Sequence, residues 1–208
     1  MTQSQLQEQL RSLRLGHFAQ ALLQQQSQAT TYDEMSFEER LGLLAQHEIH
    51  CRQDSKVKRL LRQATLRLEA HASRLEYRAE RGLRKDKVAT LLSGQYLHHA
   101  HNIIVTGATG CGKTYFACAL ARQACEQHHT VRYYRLGQLL DELNIGHADG
   151  SYRQQLAQLA KKELLILDDW GMEKLSARQA NDLLDVMEER YQNTSTIIAS
   201  QLPVTEWY

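Results

Sequence analysis

Residues Gly107-Ala108-Thr109-Gly110-Cys111-Gly112-Lys113-Thr114 follow the spacing G-x-x-x-x-G-K-[ST], and the chemistry of that pattern is phosphate binding. Its glycines let successive backbone N–H groups close on an anion, and a helix opening behind the loop adds its dipole. Lys113 brings the motif's one cation to the β- and γ-phosphates, and the Thr114 hydroxyl is a ligand for Mg²⁺. The flanks suit the motif. Asn102–Thr106 is a short β-rich run, and a helix is expected over Tyr115–His128, which puts Tyr115 in its first turn beside the phosphates. The residues from Gly107 to Tyr115 are therefore the candidate nucleotide contacts, and ATP with Mg²⁺ the expected ligand.

Leu164-Leu165-Ile166-Leu167-Asp168-Asp169 supplies the other half of such a site. Alone, an apolar run ending in two acids would also serve as a helix cap. Downstream of a phosphate loop it reads as a buried strand that delivers carboxylates to the C-terminal edge of a parallel sheet, where ligands bind. Asp168 is the expected metal-side carboxylate, and Asp169 the group that polarises the attacking water. A fourth run, Thr196–Ser200, ends at Ser200-Gln201, where a polar side chain can hold that water or sense the γ-phosphate. The same residues are also what a strand needs to turn at Pro203. The expected catalytic set is Asp169, Lys113 and Gln201; the expected metal set is Thr114 and Asp168.

The elements that must position these groups alternate strand and helix. Val131–Arg135 adds a further strand, and a helical pattern runs through Ala180, Leu183, Leu184, Met187 and Tyr191 behind a cap at Ser176. This order implies a three-layer α/β domain with a parallel sheet over residues 96–208. Residues 1–70 read instead as a small all-helical domain. Ser36-Phe37-Glu38-Glu39 fits a capping box whose helix carries Leu41 and Leu44 inward, while Gly16 and Gly42 interrupt the pattern. Val57, Leu60, Leu61 and Ala64 mark a second amphipathic stretch, and residues 71–95, with Gly82 and Gly94, read as a connector.

Composition narrows the classes. The chain has 208 residues, 42% hydrophobic and 24% charged, with mean hydropathy −0.53, which suits one or two ordinary cores. It has no apolar run of transmembrane length, and its start, MTQSQLQEQL, has no basic stretch followed by an apolar block. Four cysteines without a CxxC pair suggest a reducing, cytoplasmic setting; Cys118 and Cys125 read as small buried hydrophobes. A single proline argues against a loop-rich β-sandwich. His47-Glu48-Ile49-His50 is one residue short of H-E-x-x-H, leaving only a weak zinc signal with Cys51. His98, His99 and His101 lead into the first strand.

The formal net charge of +1 hides an asymmetry. Residues 1–100 carry a surplus of four cations, residues 101–208 a surplus of three anions, and Arg52 to Lys87 alone carry a cationic surplus of seven. Lys56, Lys58, Arg59, Arg62 and Arg67 are the candidate DNA-phosphate contacts. Charge by itself is equally consistent with a solvated helical face.

The P-loop GATGCGKT, the run LLILDDWG (Leu164–Gly171) and ASQLPVTEW (Ala199–Trp207) resemble the IstB-type transposition helper ATPases, AAA+ proteins related to DnaC-type helicase loaders. LRSLRLGHFAQAL, SFEERLGLL and the RGL at Arg81–Leu83 resemble the same family, so the likeness runs along nearly the whole chain. The resemblance implies a helical DNA-binding domain before a P-loop AAA+ domain, ATP-dependent self-assembly on double-stranded DNA, and recruitment and stimulation of a cognate transposase in a bacterial cytoplasm. The chain departs from the usual AAA+ pattern in Asp169, where Glu is commoner, and in Gln201, where Asn is more usual. The resemblance also implies a fifth strand, an arginine finger and a lid arginine that would follow Tyr208. Without them the first strand is expected at a sheet edge, and turnover is expected to be slow. A helicase loader shares every one of these ATPase residues. A P-loop small-molecule kinase would need an Arg-rich lid, yet Trp170–Ser195 holds only Arg178 and Arg190. A DNA-binding module indifferent to nucleotide would leave the P-loop without a use.

Overall fold

The computed structural model describes residues 2–77 and 82–207; Arg81 and Tyr208, named above, lie outside the described residues. Helical spacing in the first third of the chain forms α1 (Gln3–Ser12), α2 (Gly16–Ser27), the short α3 (Ala29–Tyr32) and α4 (Phe37–Ala64). The capping box is present. Glu39 N–H donates to Ser36 Oγ at 3.2 Å, and Ser36 N–H donates to Glu39 Oε2 at 2.8 Å. Gly42 does not interrupt the helix, and both amphipathic stretches belong to one continuous α4. Leu44 is buried as expected, but Leu41 is exposed; the inward stripe runs instead through Leu44 and Glu48. Glu48 is tolerated inside because Phe18 N–H donates to it at 2.7 Å and the Arg52 guanidinium at 2.6 Å. Burial opposes its charge, but these donors hold its carboxyl below the ordinary range.

The chain divides into two compact units, residues 1–58 and 59–208, within α4. The second unit takes in the stretch read as a connector. Ala70 and Val88 belong to its core, with Val88 on α5 (Lys85–Leu92) and Tyr96 on α6 (Gln95–His98).

The α/β part of that unit is built from β1 (Ile103–Thr106), α7 (Lys113–Glu126), β2 (Val131–Arg135), α8 (Leu136–Asp149), α9 (Tyr152–Ala160), β3 (Leu164–Trp170), α10 (Ala177–Arg190) and β4 (Ser195–Ser200). All strand pairs are parallel, in the order β1-β4-β3-β2. Strand alternation divides the core in two. Leu164 and Ile166 of β3 pack with Phe116, Ala117 and Leu120 of α7, while Leu165 and Leu167 pack with Leu139 and Leu143 of α8 and Val186 of α10. Three layers result, as the sequence predicts. Cys118 and Cys125 are fully buried on α7, and burial pushes the Cys125 thiol up to about 12.

The buried face of α10 follows that helical pattern only in part. Its N-terminus is capped at Ser176 with Gln179, but Ala180, Leu184 and Tyr191 are exposed, and the buried face is Asp182, Leu183, Val186 and Arg190. Two charged residues sit inside because each is satisfied. Asp182 meets His147 Nε2 at 2.8 Å. Arg190 donates to Leu159 O (2.6 Å), Lys162 O (2.8 Å), Thr196 Oγ1 (3.1 Å) and Ser195 O (2.5 Å), which ties the end of α9 to the start of β4. Burial lowers its guanidinium to about 10, still charged at neutral pH. Arg190 is thus spent on the fold and not available as a lid cation. Arg190→Met strands several buried carbonyls and is expected to cost about 3 kcal/mol in stability. A denaturant midpoint equal to that of the parent chain would show these bonds to be dispensable.

Candidate active site

The phosphate loop lies between β1 and α7, and its backbone explains its glycines. Gly110 (φ 79°) and Gly112 (φ 93°) occupy left-handed conformations that a Cβ would strain. Gly112 stands at the N-cap of α7, so the helix opens at Lys113 with its first amides free of helical partners. Lys113 Nζ donates to Gly107 O at 2.7 Å and Ala108 O at 2.8 Å, so the ammonium rests on its own loop.

Thr114 and Asp168, 54 residues apart, meet directly: Thr114 Oγ1 donates to Asp168 Oδ2 at 2.8 Å. β3 is longer than its apolar run because Asp168 pairs with Arg135 across β2, and Trp170 with Ser200 across β4. Between Leu167 and Trp170 the strand advances three residues while β4 advances two. Asp169 takes up the extra residue with φ 59°. Such a bulge re-aims side chains at strand ends, and Asp tolerates the left-handed region better than bulkier residues.

The site has three further side chains that the sequence reading did not place there. Tyr133 OH donates to Asp168 Oδ2 at 2.7 Å; burial first, and this bond second, push its phenol above the ordinary range. Arg67 Nη1 stands 3.8 Å from Asp168 Oδ2 and 3.5 Å from Asp169 Oδ2, and Arg135 Nε stands 3.6 Å from Asp169 Oδ2. The strand alternation of Val131–Arg135 is a partial signal for Tyr133. For Arg67 no local signal exists, because 102 residues separate it from Asp169.

Gln201, one residue beyond β4, accepts a hydrogen bond from the Thr109 hydroxyl and so lies over the phosphate loop. Ser200 holds it there. The Ser200 hydroxyl donates to Trp170 O (2.8 Å) and accepts from Leu202 N–H (3.0 Å) and Trp207 Nε1 (3.2 Å). Ser200 is fully buried in this role, so Gln201 is the polar group presented to the cleft. The cleft, about 350 Å³, is lined by Thr109, Gly110, Gly112, Lys113, Thr114 and Tyr115, by Asp168, Asp169 and Gln201, and by Arg67 with Leu68. Larger clefts along β2 and α8 lack the phosphate loop.

The donor set suits a hard divalent cation, since a hydroxyl and a buried carboxylate converge beside a helix N-terminus. Lys56, Lys58, Arg59 and Arg62 are exposed on α4. Arg67 is separated from them by its contacts with the two acids. His47 and Cys51 lie 3.6 Å apart on α4, and among the described residues no group of three or more His, Cys, Asp or Glu side chains could hold a metal ion.

A family model described as IstB-like ATP binding protein matches residues 8–208. The chain belongs to that family. Among its IstB-like relatives, an IS1162 insertion-sequence protein of Pseudomonas fluorescens, named for ATP binding, is 46% identical over 204 residues, which cover 98% of this chain and 87% of that protein. A Sinorhizobium fredii insertion-sequence protein, also named for ATP binding, is 40% identical over 176 residues, covering 85% and 72%. Solved structures share the fold. The DnaC helicase loader superposes with TM-score 0.52 at 22% identity, over 57% of this chain and 68% of that one. AMPPCP-bound DnaA from Aquifex aeolicus superposes with TM-score 0.62 at 18% identity, over 69% and 45%. The IstB-like chain therefore has a P-loop α/β fold like that of these two structures, with its parallel four-stranded sheet and phosphate loop.

Proposed function

We propose that this chain is an ATP-hydrolysing, DNA-binding helper of insertion-sequence transposition, which assembles as a homo-oligomer on double-stranded DNA in the bacterial cytoplasm and recruits and stimulates its cognate transposase. The observation that carries the reading is the meeting of Thr114 with Asp168 at the mouth of a phosphate loop, in a chain of the IstB-like family. The insertion-sequence names of its relatives supply the transposition context. Among the described residues no helix is long and apolar enough to cross a membrane.

In this reading the amides from Gly107 to Tyr115 wrap the phosphates, and Lys113 leaves the Gly107 and Ala108 carbonyls to meet them. Thr114 and Asp168 would hold Mg²⁺, which would supply neutralisation of phosphate charge. Tyr133 orients the Asp168 carboxylate. Asp169 polarises the attacking water, and Gln201, steadied by Ser200 and Trp207, holds that water or senses the γ-phosphate.

DNA binding is assigned to the exposed cations of α4. Replacing Lys56, Lys58, Arg59 and Arg62 together with Gln is expected to weaken binding to duplexes of any sequence. The slope of log affinity against log salt should become shallower by about 0.9 for each phosphate no longer neutralised. The measurement is fluorescence anisotropy across a salt series, with and without ATP, alongside sizing of the complexes. An unchanged affinity and slope would make these cations solvated or protein-docking groups. Pull-down with transposase or with replicative helicase separates the proposed role from that of a helicase loader.

A further inference from the structure

Arg67 belongs to the segment between the end of α4 and the core, and that segment is fastened at both ends. Thr65 Oγ1 donates to Tyr133 O at 3.4 Å on β2; Ala70 is fully buried, and His71 N–H donates to Tyr115 OH at 3.3 Å on α7. The backbone is therefore held beside the cleft, while the Arg67 side chain keeps 38% of its surface in solvent. Its guanidinium faces both acids, at 3.8 Å from Asp168 and 3.5 Å from Asp169, and it lines the same cleft as Lys113. Two cations thus line one cleft. Each is parked on groups of the chain itself: Lys113 on loop carbonyls, Arg67 on the acids.

The arrangement has an electrostatic consequence. Asp168 Oδ2 already accepts from Thr114 and Tyr133, and the guanidinium stands near the same oxygen. A divalent cation approaching that oxygen meets a positive charge within a few ångströms, in a partly desolvated place where such repulsion is strong. A polyphosphate entering the cleft changes the balance. It offers the guanidinium several anionic oxygens suited to its planar fork, and so draws the positive charge off the carboxylates.

Resting on the nucleotide-binding reading above, we propose that Arg67 is an in-chain counter-cation of the triphosphate site: it neutralises Asp168 and Asp169 while the site lacks polyphosphate and turns to the phosphates when they bind. Metal binding is thereby made contingent on nucleotide. Arg67 acts on the metal through the acids, and on the nucleotide by direct contact.

The test uses the full chain as wild type, Arg67→Gln and Arg67→Lys, with folding checked by circular dichroism. Mn²⁺ binding is measured by EPR without nucleotide, and binding of ATP and ADP by calorimetry with Mg²⁺ present. Arg67→Gln is expected to bind Mn²⁺ about tenfold more tightly in the absence of nucleotide, and to lose about tenfold in ATP affinity with a smaller loss for ADP. Arg67→Lys, which keeps the charge, is expected to restore most of both. A residue that only packs would move neither the nucleotide-free Mn²⁺ affinity nor the ATP-to-ADP ratio. If wild type binds ATP and Arg67→Gln matches it in both measurements, the inference is overturned and the nucleotide reading stands. If wild type binds no ATP, the nucleotide reading fails and takes this inference with it.

Discussion

Lys113→Ala is expected to weaken ATP binding on the order of 100-fold, or about 2.8 kcal/mol. The ammonium is a compact charge at the mouth of the phosphate loop, and its present partners are two backbone carbonyls that it can exchange for phosphate oxygens. The motif alone makes Lys113 the single cation at the phosphates and predicts complete loss. The structure adds Arg67 to the same cleft, so a residual affinity is expected. Thermal shift with ATP and Mg²⁺ reads the effect, because ligand-induced stabilisation follows the logarithm of occupancy. Without ligand the melting temperature should barely change, since the bonds removed are made to a partly exposed loop. An ATP-induced shift equal to that of wild type would remove the phosphate loop from the site.

Asp169→Asn is expected to lower turnover by about 10² to 10³ while nucleotide affinity stays within a small factor. The substitution removes a carboxylate but little else. Asn accepts the left-handed backbone that the bulge requires as readily as Asp does, so the Asp168 carboxylate should keep its place. Loss of the charge also frees Arg67 and Arg135 from one partner, which favours binding of an anionic ligand over its release. Single-turnover hydrolysis with DNA present separates the chemical step from product release. Equal rates in the two chains would move the water-polarising role to Gln201, which overlies the loop through Thr109.

Much of the site was legible in the one-dimensional chain because its parts are local. A phosphate loop is a contiguous strand-turn-helix whose glycines are demanded by backbone conformation, and Gly110 and Gly112 adopt the left-handed angles that only glycine takes easily. The capping box at Ser36 and the cap at Ser176 are likewise short-range hydrogen-bond patterns, and both formed. The continuous apolar run Leu164–Leu167 announced a strand covered on two faces, and parallel order followed from the alternation of elements.

Tertiary structure decided what depends on partners distant in sequence. Hydrophobic spacing found Leu183 but missed Asp182 and Arg190 on the buried face of α10, because these become tolerable inside only through His147 on α8 and carbonyls at the end of α9 and the start of β4. Sheet pairing extended β3 through both acids and inserted the bulge that aims Asp169. Arg67 read as one more charge in a basic stretch, since formal charge is a property of the residue alone. Its place beside Asp168 and Asp169 is a property of the fold, set by a backbone fastened to β2 on one side and to α7 on the other.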